Sequence, residues 1–339
     1  MRSRRHQDHD GGQGIFVRHR ARRSTLPLIT GAVVVALALG LVACLRTTDS
    51  AGQDATAERP LPDAVVGEYW RADGSPRLTT ASDRATVFLL AFATSAESGT
   101  GRLRFSPDEG SGITEEQLRD DIAAVQARGA VVLLSIGGAV DGGISMRTDQ
   151  QVDELVGSVE DICDRYGCDG IDWDIENGGA GTDLDSLVTA SARLKASRGA
   201  DFAVTVSAEP GAPLYEDFAL AEGQATVDGR SWSGPVCDLY GPQFYDFAQT
   251  PAERQATIVA TAQRMFDRGL PPSRFVIGTT YAGSAIGDPG QMPVDEYLAA
   301  YRTLVDAGHR VRGAYVWDMT IEARDGYPFA ETFGAELGT

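Results

Sequence analysis

The stretch Asp169-Gly170-Ile171-Asp172-Trp173-Asp174-Ile175-Glu176 constrains this chain more than any other. From Ile171 on, acidic and large apolar residues alternate. Strand side chains point to opposite faces with a period of two. Asp172, Asp174 and Glu176 therefore share one face, and Ile171, Trp173 and Ile175 the other. Three carboxylates in a row repel one another and contribute nothing to folding. Such a face handles charge or protons. The apolar face is what an outer layer of helices covers. The stretch predicts an inner strand of an α/β protein with an acid cluster on its inward face.

The rest of the chain supplies the neighbours of that strand. Strands are predicted over 65–70, 86–92, 130–136, 170–175, 202–207, 239–245, 275–280 and 312–317. Helical patterns lie between most of them, over 114–128, 150–166, 184–196, 251–268 and 294–307. Asp183 before one helix and Gly308 after another are cap signals. Several strands are unbroken apolar runs, such as Val131-Val132-Leu133-Leu134, which suits a parallel sheet buried on both faces. This count and order predict a (β/α)8 TIM barrel, a single catalytic domain over 63–339. The connection from strand one to strand two holds at most a weak helix over 78–84. A doubly wound open sheet is the competing fold, but no Gly-rich loop follows the first strand. In a barrel, chemistry sits at the C-terminal ends of the strands, and Glu176 falls just past one.

Charge and composition narrow the chemistry. The formal net charge is -18. Residues 1–25 carry seven arginines against Asp8 and Asp10, a net of +5, so the remainder carries -23. An acidic body argues against nucleic acid as a partner, since phosphate binding needs Lys and Arg. Lys195 is the only lysine, and His309 the only histidine outside the basic tail. A Ser-His-Asp catalyst or a multi-His zinc site in the body would have to use His309 alone. Carboxylates remain for acid–base work. The cysteines, Cys44, Cys163, Cys168 and Cys237, are too few for a disulfide scaffold. Cys163 and Cys168 either bridge across a helix-to-strand turn or stay as buried thiols.

Residues 1–44 read as an address. A basic segment ends at Arg22-Arg23, an apolar run covers 26–43, and Cys44 closes it. This is the layout of an export signal. Leu41-Val42-Ala43-Cys44 resembles the lipobox of bacterial lipoproteins, in which the cysteine is lipidated. The run is also just long enough to be an uncleaved membrane anchor. Either way the body is expected outside the cytoplasm, at the cell membrane or secreted. Residues 45–62 are polar and read as a linker.

Within the acid run, two carboxyls on one face of a low-dielectric pocket cannot both ionise readily at neutral pH, so one is expected to hold a proton. A protonated carboxyl at a strand mouth is a general acid, suited to a glycosidic oxygen. The alternative is a Ca²⁺ or Mg²⁺ site, although such loops are usually irregular and rich in Gly and Asn.

The run also resembles the D-G-x-D-x-D-x-E motif of glycoside hydrolase family 18, the chitinase family. Ser135-Ile136-Gly137-Gly138 resembles the family's S-x-G-G at its third strand. Gln243-Phe244-Tyr245-Asp246 resembles the sixth-strand segment of the hevamine-like branch. Trp317 lies where the family places an aromatic floor, and Tyr69 and Phe92 lie at the mouths of strands one and two. The resemblance runs from Val65 to Trp317.

The resemblance implies a role for each residue. Glu176 protonates the leaving oxygen. No enzyme carboxylate attacks the sugar, because the substrate's own 2-acetamido oxygen attacks C1 and gives an oxazolinium ion. Asp174 orients the acetamido N–H, and Asp172 shares a proton with Asp174. Tyr245 hydrogen-bonds the acetamido oxygen. Ser135 supports the buried aspartates, and Trp317 stacks under the sugar. Tyr69, Phe92, Gln243 and Asp246 are further candidate substrate contacts. The implied activity is a chitinase cutting β-1,4 N-acetylglucosamine linkages with retention of configuration. The implied partner is chitin or a related oligosaccharide, and the protein is expected to act as a monomer. No cofactor or metal is expected.

Alternatives stand beside these roles. Tyr69, Phe92, Tyr245 and Trp317 also fit as core aromatics, and Ser135-Ile136-Gly137-Gly138 as a tight turn. Asp169, on the opposite parity, fits a structural cap. Trp232 is either a sugar platform or a loop anchor, and Glu209 a polar contact at the rim. Residues 281–312 are too few for the small insertion domain of some family members, so the cleft is expected to be open. No carbohydrate-binding module is recognisable, and weak attack on crystalline chitin is expected. The same motif serves endo-β-N-acetylglucosaminidases that cut N-glycan cores. Lectin-like members usually lack the acid found here at Glu176.

Overall fold

The computed structural model describes residues 59–339, apart from 75, 142, 177–180, 246–248 and 282–291. Cys44, Asp246 and the apolar run 26–43 lie outside the described residues. Among the described residues no helix is long and apolar enough to cross a membrane.

Eight parallel strands form the centre. They are β1 (Val65–Arg71), β2 (Val87–Ser95), β4 (Val131–Gly137), β5 (Gly170–Asp174), β6 (Ala203–Ala208), β9 (Leu239–Pro242), β10 (Val276–Thr280) and β11 (Gly313–Trp317). Neighbours run in the order β10-β11-β1-β2-β4-β5-β6-β9. Single parallel bridges, Tyr240 to Phe275 and Gln243 to Gly278, join β9 to β10 and close the ring. All eight predicted strands are present, and the fold is the predicted (β/α)8 barrel.

The β9–β10 seam is sparse for a local reason. Backbone N–H groups along a parallel strand point alternately to its two neighbours. Gln243 N donates to Ala208 O on β6, and Phe244 N to Gly278 O on β10. By that parity residue 242 faces β10. It is Pro242, which has no N–H to give.

Helices α1 (Glu115–Ala127), α2 (Asp149–Tyr166), α3 (Leu184–Arg198), α5 (Pro251–Asp267) and α6 (Val294–Asp306) lie where periodicity places them. Their starts are capped by side chains. Thr114 and Thr250 form capping boxes with Gln117 and Glu253, and Asp183 accepts from Ser186 N. Between β1 and β2 stands only one 3-10 turn, Leu78–Thr80. The C-terminal helices α7 (Met319–Glu322) and α8 (Pro328–Leu337) pack against β1.

Besides α7 and α8, three further elements have no counterpart in the sequence expectation. One is β3 (Leu103–Arg104), antiparallel to β2. Another is α4 (Pro213–Leu220). The third is a hairpin of β7 (Glu222–Val227) and β8 (Arg230–Pro235) lying on α3.

Two apolar cores result. The larger lies between barrel and helices and includes Trp70, Phe88 and Trp173. Trp173 is on the outward face of β5, and its Nε1 donates to Ser191 on α3 at 3.1 Å. The smaller core fills the barrel with Val65, Leu89, Leu133, Leu239 and Tyr315. At the base of β5, Asp169 accepts from Arg59, Gln126 and the backbone of Val132 at 2.8–3.0 Å. It is a structural cap, as its parity suggests.

Candidate active site

The inward face of β5 carries the acids at three depths. Asp172 is deepest and fully buried. Asp174 is buried one step higher, and Glu176, two residues past the strand, is half-buried. Ser135 on β4 and Thr205 on β6 are the direct register partners of Asp172. Their hydroxyls donate to it at 2.8 and 2.7 Å. Tyr69, from β1 across the barrel, donates at 2.9 Å. Ser207, one inward step above Thr205, lies 2.5 Å from the Tyr69 hydroxyl and 3.3 Å from Asp172.

Asp174 has a different environment. Gln243 Nε2 donates to it at 2.8 Å and reaches Glu176 Oε1 at 3.4 Å. Burial holds the Asp174 carboxyl well above the usual range, and the negative charges of Asp172 and Glu176 add to the effect. Burial also raises Asp172, but its hydroxyl donors oppose that. The strand-end glycines fix this geometry. Gly137 and Gly138 both have positive φ, and Gly138 N donates to the Asp174 carbonyl at 2.7 Å. A Cβ on Gly137 would fall 2.4 Å from that same carbonyl. Tyr215 on α4 donates its hydroxyl to the Ile175 carbonyl, which holds the backbone between Asp174 and Glu176.

A cleft of about 570 Å³ opens above β5. Asp174, Glu176, Gln243, Tyr245, Phe92 and Trp317 line it. Phe92 and Trp317 stack with centroids 5.4 Å apart and planes at 18°. Tyr69 packs edge-on to Trp317 at 5.5 Å but is buried beneath, its hydroxyl spent on the Asp172 network. Ser135 is likewise a support below the cleft. The chain before Tyr245 is held by Tyr297 on α6, which donates to the Phe244 carbonyl at 3.0 Å.

Some contributors were not anticipated from sequence. Thr205 and Ser207 are polar at alternate positions of an apolar strand, a pattern that marks inward donors. Arg71 is the next inward residue on β1 after Tyr69. It pairs with Asp73 at 2.5 Å and with buried Asp318 at 3.4 Å on the cleft wall. Other candidates lie elsewhere. Trp232 is on the α3-facing side of β8, with Lys195 Nζ 5.7 Å from its ring, and is an anchor. Lys195 itself is buried and donates to Asp238 and the Phe202 carbonyl. Glu209 is exposed beyond β6 and is not part of the cleft lining. His309 packs on Phe266 in the outer layer. Cys163, Cys168 and Cys237 are buried thiols.

The acids, the hydroxyl layer and the aromatic floor share one barrel mouth. A family model, Glycosyl hydrolases family 18, matches residues 65–328. The chain belongs to that family. Among its relatives is Chitinase D of Niallia circulans, 31% identical over 348 aligned positions, covering 84% of this chain and 64% of its own length. Another is Chitinase Chi52 of Paenibacillus xylanexedens, 30% identical over 312 positions, covering 75% of this chain and 58% of its own. The chain thus spans less than two thirds of these relatives. A family GH18 chitinase from Chromobacterium violaceum shares the fold. Its TM-score is 0.65 at 23% identity, over 85% of this chain and 91% of that one. A xylanase-alpha-amylase inhibitor protein bound to trehalose also shares it, with a TM-score of 0.60 at 16% identity, over 81% and 98% of the two chains. The same barrel is therefore shared by a chitinase and an inhibitor protein, and the side chains at its mouth decide the chemistry.

Proposed function

We propose that this family-18 protein is a chitinase that hydrolyses β-1,4 N-acetylglucosamine linkages by substrate-assisted, retaining catalysis. The observation that carries this reading is the pairing of Asp174 and Glu176 through Gln243 at the cleft floor, while Asp73 and Asp318, which also line the cleft, are taken up by ion pairs with Arg71. Glu176 gives its proton to the leaving glycosidic oxygen. The 2-acetamido oxygen of the sugar attacks C1, and water then opens the oxazolinium ion with net retention. Asp174 receives the acetamido N–H and offsets the positive charge of the ion. Tyr245 donates to the acetamido oxygen. Trp317, with Phe92 behind it, offers a flat apolar face to the pyranose. Gln243 and Asp246 are additional contacts around that sugar. The cleft is open enough for internal cleavage of short chains.

The test is product analysis by mass spectrometry after incubation with chitin oligomers and, separately, a high-mannose glycopeptide. Cleaved oligomers and an intact glycopeptide are expected, and the reverse outcome would transfer the assignment to an endo-β-N-acetylglucosaminidase. Glu176→Gln is expected to abolish turnover while keeping oligosaccharide binding. Turnover near the wild-type level in that variant would remove the mechanism. A thiazoline mimic of the oxazolinium ion should compete with substrate.

The N-terminal reading is a separate part of the proposal. Cys44 is taken as a lipidation site that holds the barrel at the outer side of the cell membrane. Cys44→Ser should move the protein out of the membrane fraction, and unchanged fractionation would discard the idea.

A further inference from the structure

Cys163 and Cys168 meet because of the way α2 ends. Gly167 takes the left-handed conformation, with φ 80°, and its N–H donates to the Cys163 carbonyl at 2.7 Å. A glycine in that conformation turns the chain back, so the side chain after it can lie against the last turn of the helix. Here that side chain is Cys168, and what it lies against is Cys163. Both are buried, and their thiols share a hydrogen bond. The contact that closes such a cap is commonly apolar. In this chain it is a pair of sulfurs.

The backbone around the pair is held on both sides. Gln126 Nε2 donates to the Gly167 carbonyl at 2.7 Å and to Asp169, the residue after Cys168, at 2.8 Å. Asp164, the residue after Cys163, accepts from Arg198 on α3 at 2.7 Å. Cys237 is placed differently. It stands just before β9, and its thiol donates to the Leu239 carbonyl at 3.2 Å.

We propose that Cys163 and Cys168 close a disulfide as the exported chain folds, tying the end of α2 to the start of β5. This rests on the export reading of residues 1–44, since disulfides persist in oxidising compartments. The oxidant is the disulfide of a thiol oxidoreductase or of a small thiol outside the cytoplasm. One cysteine thiolate attacks that disulfide, forms a mixed disulfide and releases one thiol. The second cysteine attacks the mixed bond and releases the other thiol. Two electrons and two protons pass from the pair to the oxidant. In the folded chain the Cys163 hydrogen bond, and then burial, raise the Cys168 thiol well above its usual range, so little thiolate forms there. Closure therefore belongs to the folding chain, in which only four residues separate the two cysteines and their encounter is fast. The acids stand at the opposite end of β5, and the bridge steadies the base of the strand that carries them.

Arg165 lies between the two cysteines, so trypsin reads the bridge directly. Full-length protein isolated from cells is unfolded, alkylated without reductant and digested. Residues 148–165 and 166–193 are expected as one linked species, lighter than the two peptides by the hydrogens lost, and reduction should separate them. Cys237 should be alkylated. The same protein refolded from urea in oxidised and reduced glutathione is expected to give the same linked species. The bridged form should melt roughly 4 °C above the reduced form, as expected for so short a closed loop in a chain of this size. The double variant Cys163→Ala/Cys168→Ala should melt at one temperature with or without reductant. Alkylation of both cysteines in the glutathione-refolded protein, or linkage of either one to Cys237, would overturn the pairing. A bridge that closes in glutathione but is absent from protein isolated from cells would leave the pairing standing and remove the export reading instead.

Discussion

The side-chain amide of Gln243 stands between Asp174 and Glu176, 2.8 Å from one and 3.4 Å from the other. One neutral group thus restrains two mutually repelling acids from a different strand. Gln243→Met keeps the length and removes both N–H donors. Loss of a hydrogen bond to a charged group is worth about 1.5–3 kcal/mol, so kcat on chitin oligomers is expected to fall about 10- to 100-fold. Steady-state kinetics checks this, and a kcat within twofold of wild type would show that the bridge is idle.

A second acid pair lies on the outer side of β1. Glu68 and Glu322 are fully buried, neither Glu68 oxygen has a hydrogen-bond partner among the described residues, and Glu322 Oε1 accepts from Ala330 N at 2.8 Å. Burial, then the Glu322 charge, raises Glu68 well above the usual range, with Arg128 opposing. Burial pushes Glu322 up to about 7. Carboxyls whose folded pKa is raised contribute stability that is complete below the unfolded value and is lost as pH rises through the folded one. The melting temperature should therefore fall between pH 5 and pH 8, and Glu68→Gln should remove at least half of that fall. Calorimetry across that range decides it. A wild-type curve that is flat from pH 5 to pH 8 would contradict the prediction.

Gly67 faces the Tyr315 ring inside the barrel. A Cβ there would lie 2.2 Å from Tyr315 Cδ1. Tyr315 is buried among the lumen side chains and has nowhere to retreat. Gly67→Ala is expected to destabilise the fold by about 1–3 kcal/mol, measured by urea unfolding. An unchanged midpoint would mean that the lumen is looser than its packing indicates.

The β7–β8 hairpin offers a contrast, because its tryptophan faces inward. Trp232→Ala should cost about 2 kcal/mol of stability through lost packing on α3. Activity on soluble oligomers should stay within twofold of wild type. A large loss of kcat with intact stability would instead tie the hairpin to the cleft.

How much of this was legible beforehand depended on the kind of signal. The barrel strands are apolar runs that only a doubly covered sheet needs, so Val131-Val132-Leu133-Leu134 and its counterparts could be placed without the structure. The acid order of depth, Asp172 then Asp174 then Glu176, follows from period two alone. The hairpin was not legible through hydrophobicity, because β7 and β8 are polar on one face and short on the other. Its readable mark is Asp228-Gly229, both with positive φ, which is the two-residue turn of a tight hairpin. Thr205 and Ser207 could have been read as inward donors from their alternation with Val204 and Val206. The role of Gln243 as a bridge was out of reach, since it depends on where β9 stands relative to β5.

The gap that Pro242 leaves in the ring has a mechanical side. Six of the eight strand contacts are continuous ladders, such as the five matched pairs from Gly67↔Val87 to Arg71↔Ala91 between β1 and β2, and the β2–β4 ladder shifts register between Leu90 and Ala93. Trp317 of the aromatic floor ends one of those continuous ladders, paired with Thr280 on β10. Gln243 and Tyr245 stand beside the contact that is reduced to single bridges. The two sides of the mouth are therefore tied together unequally. If that contact yields, the amide and the phenol move with it, while Trp317 stays tied to the unbroken β10–β11 ladder that ends at Thr280↔Trp317.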